Sequence, residues 1–216
     1  MYRYDAFALV ILTLVISMIL SPIFRSGQIV FSDMAFGFTS DRYLEEIFGI
    51  WNERWSTSTL LNVARLGYIF PLYLLSLILG GSGPFLLKSF IFVLIFNSAL
   101  SMYLLTKRII SVYDGRHFTL FKIMALLTGA LFYALNPWVI FRIQHIYLLC
   151  GYSLFPLVLM CFFNAFDPKF QKQLIPYYQP FRAIIYRQNL MNLFLLAFIF
   201  TLCAAAIHYF FYGVLF

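Results

Sequence analysis

Long, nearly uncharged apolar runs set the first constraint on this chain. Ala6–Phe24, Phe85–Thr106, Ile123–Arg142, Ile146–Phe166 and Leu190–Phe216 follow one another with only short polar connectors between most of them. At ~1.5 Å per helical residue, a run such as Ala6–Phe24 is long enough for a hydrocarbon core of ~30 Å. A chain with this pattern must bury its runs in lipid or in one another.

Composition narrows the choice. The chain is 63% hydrophobic and 11% charged, whereas soluble domains carry roughly 25% charged residues. So few charges cannot cover the surface of a soluble fold of this size. The alternation of an outer-membrane barrel, in segments of about ten residues, is absent. The expected fold is therefore all-α: a polytopic transmembrane helical bundle of about six hydrophobic segments. One transmembrane domain is expected over 1–216, with a first helix over 6–24, a polar first loop over 25–65 and the remaining helices over 66–216. Ala6–Leu20 exceeds the usual ~7–15-residue core of a signal peptide, and Ser21-Pro22-Ile23-Phe24 is a poor cleavage site, so the first helix is expected to be retained. The chain stops at Phe216 inside an apolar run, the pattern expected of the N-terminal part of a longer protein.

The first loop is the one long polar stretch. It holds Asp33, Asp41, Glu45, Glu46 and Glu53. Within it Tyr43, Leu44, Ile47, Phe48, Trp51 and Trp55 recur at helical spacing, with Asp41, Glu45, Asn52 and Glu53 largely on other faces. This predicts an amphipathic helix lying in the membrane interface, where tryptophan is favoured. Leu60–Gly80 is a weaker span, with Asn62 and Arg65 in its first turns and a kink at Pro71. Gly80-Gly81-Ser82-Gly83-Pro84 is a tight turn. Lys107-Arg108 is expected to close the Phe85–Thr106 helix. An Asp114-Gly115 turn follows, and Asn136-Pro137 should kink or end the fourth helix early. Pro156 lies inside the fifth.

Two orientations satisfy the charges. If every segment crosses, Arg25, Arg42, Arg54, Arg65, Lys107, Arg108, Arg116, Lys122, Lys169, Lys172, Arg182 and Arg187 share one side, which the positive-inside rule makes cytoplasmic. If Leu60–Gly80 instead dips in and returns, the Asp33 loop faces outside with Asn136–Gly151, and the two later basic connectors stay inside. The second arrangement is preferred.

The net charge of +7 fits basic connectors beside anionic lipid; no Arg-rich stretch points to nucleic acid. Cys150, Cys161 and Cys203 lie in apolar runs without a CxxC spacing and are expected to be core residues. No P-loop, GxGxxG, HExxH or GxSxG is present. Buried acids in the later helices, as an ion-coupled transporter needs, are absent too.

The candidate chemistry is sparse. Asp33 stands a few residues after the first helix, where a carboxylate is costly to desolvate without a use or a partner; it is a candidate general base, or an anchor for a cation or sugar hydroxyl, the alternative being a solvated loop residue or helix cap. Asp41 and Glu45, one helical turn apart, could hold a divalent cation such as Mg or Mn, since hard cations take oxygen ligands. The alternative for the pair is a solvated face with Arg42 and Arg54 as partners. Arg54, Arg65, Arg142 and His145 lie in the first loop or at segment ends and suit a phosphate, Arg by its planar fork of donors. His208, near Tyr209 and Tyr212, is an ionisable group inside a span.

Several stretches carry a resemblance: Phe31-Ser32-Asp33-Met34, Ile50-Trp51-Asn52, Leu66-Gly67-Tyr68-Ile69-Phe70-Pro71, and Tyr133-Ala134-Leu135-Asn136-Pro137-Trp138 leading to Gly151-Tyr152-Ser153-Leu154-Phe155-Pro156. Together with the layout, they resemble the N-terminal module of GT-C superfamily glycosyltransferases, in particular the arabinofuranosyltransferase-like and YfhO-like membrane proteins. The resemblance implies transfer of a sugar from a polyprenyl-phosphate-linked donor to an extracytoplasmic glycan or lipid acceptor. Asp33 would be the base, and Arg142 and His145 would contact the lipid phosphate. It also implies residence in the cytoplasmic membrane of a prokaryote. A second expectation comes from another class: a non-catalytic polytopic subunit of a lipid or polysaccharide transport system or membrane complex, with a membrane-protein partner.

Overall fold

A computed structural model describes residues 2–26, 83–115, 118–143, 145–167, 169–170, 191–195 and 197. Among the described residues there are helices and no strand. Helix α1 spans Tyr2–Leu20 and tightens into a 3-10 turn over Ser21–Phe24. Helix α2 spans Gly83–Tyr113, α3 Leu120–Leu135, α4 the short Pro137–Phe141, and α5 Ile146–Phe166. Residues 191–195 and 197 are helical as well. Four stretches are long and apolar enough to cross a membrane: Tyr4–Phe24, Leu87–Tyr113, Leu120–Phe141 and Leu148–Phe166. The expected interfacial helix, Leu60–Gly80 and most of Leu190–Phe216 lie outside the described residues.

Helix α2 is the centre of the bundle, with α1, α3 and α5 packed against it. Side-chain pairs fix the directions. The Asp5 carboxylate, at the start of α1, pairs with Lys107 and accepts from the Tyr103 hydroxyl at 3.1 Å, both in the second half of α2. At the opposite end, Lys88 Nζ donates to the Arg25 carbonyl at 2.6 Å, and the Phe24 and Phe92 rings meet edge to face at 6.2 Å. Helices α1 and α2 are therefore antiparallel. Lys122 pairs with Asp114 at 2.6 Å across the α2–α3 connection, which makes these two an antiparallel hairpin. Along α5, Ser153 meets Asn97 and Ser101 while Asn164 meets Arg108, so α5 runs parallel to α2.

The bundle thus has two ends. The near end holds the start of α1, the α2–α3 connection and the end of α5. The far end holds Arg25, Gly83, Asn136 to Ile143, His145 and Ile146. The chain leaves the described bundle at Ser26 and rejoins it at Gly83, both at the far end. Six successive single crossings would run α1 and α2 parallel, which they are not.

Small and branched residues line the core. Ala8, Leu12, Ile16 and Leu20 form one buried stripe on α1, spaced by a helical turn. They face Leu87, Ile91, Leu94, Ile95 and Ala99 of α2 within a single cluster that also takes in Ile123, Leu126, Leu127, Ala130 and Ala134 of α3. Fully buried alanines let backbones approach closely, and in lipid this van der Waals contact drives helix association. Outward positions are large and apolar: Met18, Phe121, Phe132 and Phe141 are all more than two-thirds exposed. Such surfaces suit hydrocarbon and not water.

Four boundaries differ from expectation. Helix α2 begins at Gly83, so Gly83 and Pro84 lie in its first turn and not in the expected tight turn. Helix α1 begins earlier than Ala6 because Asp5 has partners on α2 and need not sit in water. Helix α2 continues past Lys107-Arg108 to Tyr113. Lys107 is neutralised by Asp5, and Arg108 donates to Asn164 Oδ1 at 3.3 Å and to the Phe170 carbonyl at 2.9 Å. With partners supplied, neither charge stops the helix. Gly115 does, at φ +83°, in the left-handed region where glycine carries no Cβ penalty. Helix α3 starts at Leu120, capped by Thr119, whose hydroxyl accepts from the Lys122 N–H at 3.4 Å. The expected break at Asn136-Pro137 is present: Asn136 is extended, with ψ 157°, and Pro137 opens α4.

Candidate functional site

The far end carries the candidate site. Asn136 builds its first turn: its Oδ1 accepts from the Val139 N–H at 3.0 Å and so caps α4. Pro137 stands at the first helical position, where its missing N–H costs nothing. Helix α4 lasts only five residues. Its end is closed by the Arg142 N–H, shared between the Trp138 and Val139 carbonyls at 3.1 Å each. The His145 N–H then donates to the Arg142 carbonyl at 2.8 Å, and the His145 carbonyl accepts the first bond of α5 from Leu149 at 3.1 Å. Arg142 and His145 therefore share one tight turn, both half-buried. The guanidinium of Arg142 has no ion-pair partner among the described residues. Helix α5 begins at Ile146, four residues further along the chain. Unsatisfied N–H groups and the helix dipole give that end positive character.

Behind the turn lies a polar cluster that no residue-by-residue inspection of the sequence singled out. Pro137 and Pro156 each remove the donor that would satisfy the carbonyl four residues earlier. Those carbonyls belong to Tyr133 and Tyr152. The Tyr133 hydroxyl donates to the Tyr152 carbonyl at 2.9 Å, and the Tyr152 hydroxyl donates to the Tyr133 carbonyl at 2.8 Å. The rings stack, with centroids 4.3 Å apart and planes within 8° of parallel. Asn136 Nδ2 donates to the Tyr133 carbonyl at 2.8 Å and to the Tyr152 hydroxyl at 3.1 Å. The Trp138 ring lies 5.4 Å from that of Tyr152. One carbonyl further on, Ser153 accepts from Asn97 Nδ2 at 3.2 Å and from Ser101 Oγ at 2.9 Å. The proline bend in α5 is thereby held from two sides, by α3 and by α2. The signal was present: Tyr-x-Leu-x-Pro occurs at Tyr133–Pro137 and again at Tyr152–Pro156. These polar atoms serve one another, so the cluster supports the turn and is not itself shaped for a ligand.

Of the sequence-predicted residues, the structure brings together Arg142 and His145. Asp33, Arg54, Arg65, His208, Asp41 and Glu45 lie outside the described residues. Asp33 belongs to the segment whose two ends, Ser26 and Gly83, are both at the far end. No group of three His, Cys, Asp or Glu side chains that could hold a metal ion occurs among the described residues. Cys150 and Cys161 are buried core residues that no disulfide joins. A further residue that sequence reasoning passed over is Lys88, buried where α1 ends and α2 begins. Its ammonium bonds a terminal carbonyl of α1, where a cation is favoured by the helix dipole.

The near end is differently built. Its charges are consumed in joints between helices: Asp5 with Lys107, Lys122 with Asp114, and Arg108 with Asn164. Lys107 also lies 5.6 Å from the Phe118 ring centre, and Lys169 4.9 Å from that of Tyr113. No family model, curated protein or solved structure matches the chain.

Proposed function

We propose that this chain belongs to a polytopic enzyme of a prokaryotic cytoplasmic membrane. In this reading it transfers a sugar from a polyprenyl-phosphate-linked donor to an extracytoplasmic glycan or lipid acceptor. Asp33 is the base that takes the acceptor proton, and Arg142 with His145 meets the phosphate of the leaving lipid. The acid and the cations must share one side of the membrane for this chemistry. The observation that carries the reading is the antiparallel pairing of α1 with α2. It puts Ser26 and Gly83, the described residues that flank the Asp33 segment, at the end of the bundle that holds the Arg142–His145 turn, which supports the reading.

Orientation follows from charge. The near end gathers Lys107, Arg108, Lys122 and Lys169, with Arg3 in the first turn of α1. Among the described residues the far end has Arg25, Lys88 and Arg142; in this reading the first loop adds Arg42, Arg54 and Arg65 there, and the later connectors add Arg116, Lys172, Arg182 and Arg187 to the near end. The positive-inside rule assigns the near end to the cytoplasm and the far end to the outside. Positive character at the amino terminus of α5, four residues along the chain from Arg142, adds to the case for a phosphate there.

Two experiments test it together. Reporter fusions after Glu46 and after Arg116 should report opposite sides; the same side for both refutes the arrangement. Asp33→Asn should then abolish sugar transfer while leaving the protein folded in the membrane. Unchanged transfer in that variant refutes the role of Asp33. A silent Asp33→Asn together with a stoichiometric co-purifying membrane protein supports the non-catalytic subunit instead.

A further inference from the structure

Tyr133 and Tyr152 do more than fill space between α3 and α5. In hydrocarbon a carbonyl stripped of its helical donor has no water to turn to. Each proline creates one such carbonyl, and each is satisfied by the phenol of the other helix's tyrosine. The two bonds share one stacked ring pair, so loss of either loosens both. Only Asn136, the short α4 and the Arg142–His145 turn separate the two proline breaks' host helices along the chain. We propose that Tyr133 and Tyr152 form a reciprocal clasp that positions the Arg142–His145 turn, by replacing across the helices the donors removed by Pro156 and Pro137. This holds whatever ligand the turn receives, so it stands apart from the transferase reading.

The clasp is not symmetrical in its reserves. The Tyr133 carbonyl has a second donor in Asn136 Nδ2 at 2.8 Å. The bond across the Pro156 break, from the Tyr133 phenol to the Tyr152 carbonyl, is therefore the one whose loss is felt more. Restoring a backbone N–H at position 156 would return a donor to the Tyr152 carbonyl and relieve that loss.

The test reads the turn directly. In the full chain, in native membranes, Arg142→Cys is labelled with a membrane-impermeant maleimide; the same chain without that substitution gives the background. Tyr133→Phe should raise the labelling rate about three- to twentyfold, the range expected for one lost hydrogen bond between membrane helices. Tyr152→Phe should raise it less. In a Pro156→Ala background, Tyr133→Phe should change it by less than about twofold. An equal rise in both backgrounds, or no rise in either, overturns the proposal. If Tyr133→Phe alone fails to accumulate in the membrane, recovery by Pro156→Ala supports the clasp, and failure to recover overturns it.

Discussion

The joint between Asp5 and Lys107 is a direct lever on the architecture, because it ties the start of α1 to the second half of α2. Its magnitude can be bracketed from exposure. The Lys107 and Asp5 side chains retain 18% and 29% of their accessible surface. Fully exposed pairs are worth about 0.2–1 kcal/mol, and breaking a fully buried pair costs about 3–5 kcal/mol. A pair with this residual exposure, discounted for screening, should couple by about 1–2 kcal/mol. The two single variants should not be equal. Lys107→Met leaves the Asp5 carboxylate with the Tyr103 hydroxyl, 3.1 Å away, as its hydrogen-bond partner among the described residues. Asp5→Asn leaves Lys107 over the faces of Tyr103 and Phe118, at 5.9 and 5.6 Å, where cation–π attraction supplies about 0.5–2 kcal/mol. Thermal unfolding in detergent of the wild type, both singles and the double closes a double-mutant cycle. Lys107→Met should cost more than Asp5→Asn, and the double less than their sum. A coupling of this size corresponds to a Tm difference of about 2–8 °C in a chain of this length. Additivity within ~0.5 kcal/mol, or Asp5→Asn as the costlier change, would refute the reasoning. The pairing itself has an independent check. A short bis-maleimide should join Asp5→Cys to Lys107→Cys and leave Asp5→Cys with Lys88→Cys unjoined; the reverse pattern would mean that α1 and α2 are parallel.

Two further outcomes follow from the interior. Ser101→Ala removes a hydroxyl that reaches the Ser98 and Ser153 carbonyls, at 3.0 and 2.9 Å. Asn97→Leu removes the second donor to Ser153. Each should lower stability by about 0.6–1.7 kcal/mol, read as a shift of the unfolding midpoint; two unshifted midpoints would show that the Ser153 carbonyl needs neither. Neighbouring positions on α3 should respond in opposite senses. A Cβ at Gly129 meets nothing within 4 Å, so Gly129→Ala should stabilise by about 0.5–1 kcal/mol through the helix backbone. Ala130 is fully buried, so Ala130→Leu should overpack and destabilise by about 1–3 kcal/mol. A destabilised Gly129→Ala would mean that this face of α3 is covered.

Much of the helical layout was legible because lipid imposes a one-dimensional rule: a run long and apolar enough to cross does so as a helix. Ile146–Phe166 matches the expected fifth segment at both ends, since Arg142 to His145 and Asp167 mark where apolar sequence stops. Asn136-Pro137 broke its helix where backbone chemistry requires. Lys107-Arg108 misled for the opposite reason. A charge reads as a helix end when it is assumed to seek water, but Asp5 and Asn164, distant in sequence, meet these two inside the bundle. Of the candidate site, Arg142 and His145 could be named from residue type and position, whereas the tyrosines that hold the turn were marked only by the repeated Tyr-x-Leu-x-Pro spacing, which does not say what they reach. Their significance lies in which carbonyls they reach.

By itself, then, the sequence determined the class of fold, the position of most spans and the location of the proline breaks, because hydropathy, length and the missing proline N–H are local properties. Tertiary structure decided direction and partnership. Whether α2 runs against α1, and whether the carbonyls bared by Pro137 and Pro156 are satisfied by Asn136 alone or by each other's tyrosines, depends on contacts between residues far apart along the chain. Local pattern carries no information about those contacts; only the packing of one helix on another creates them.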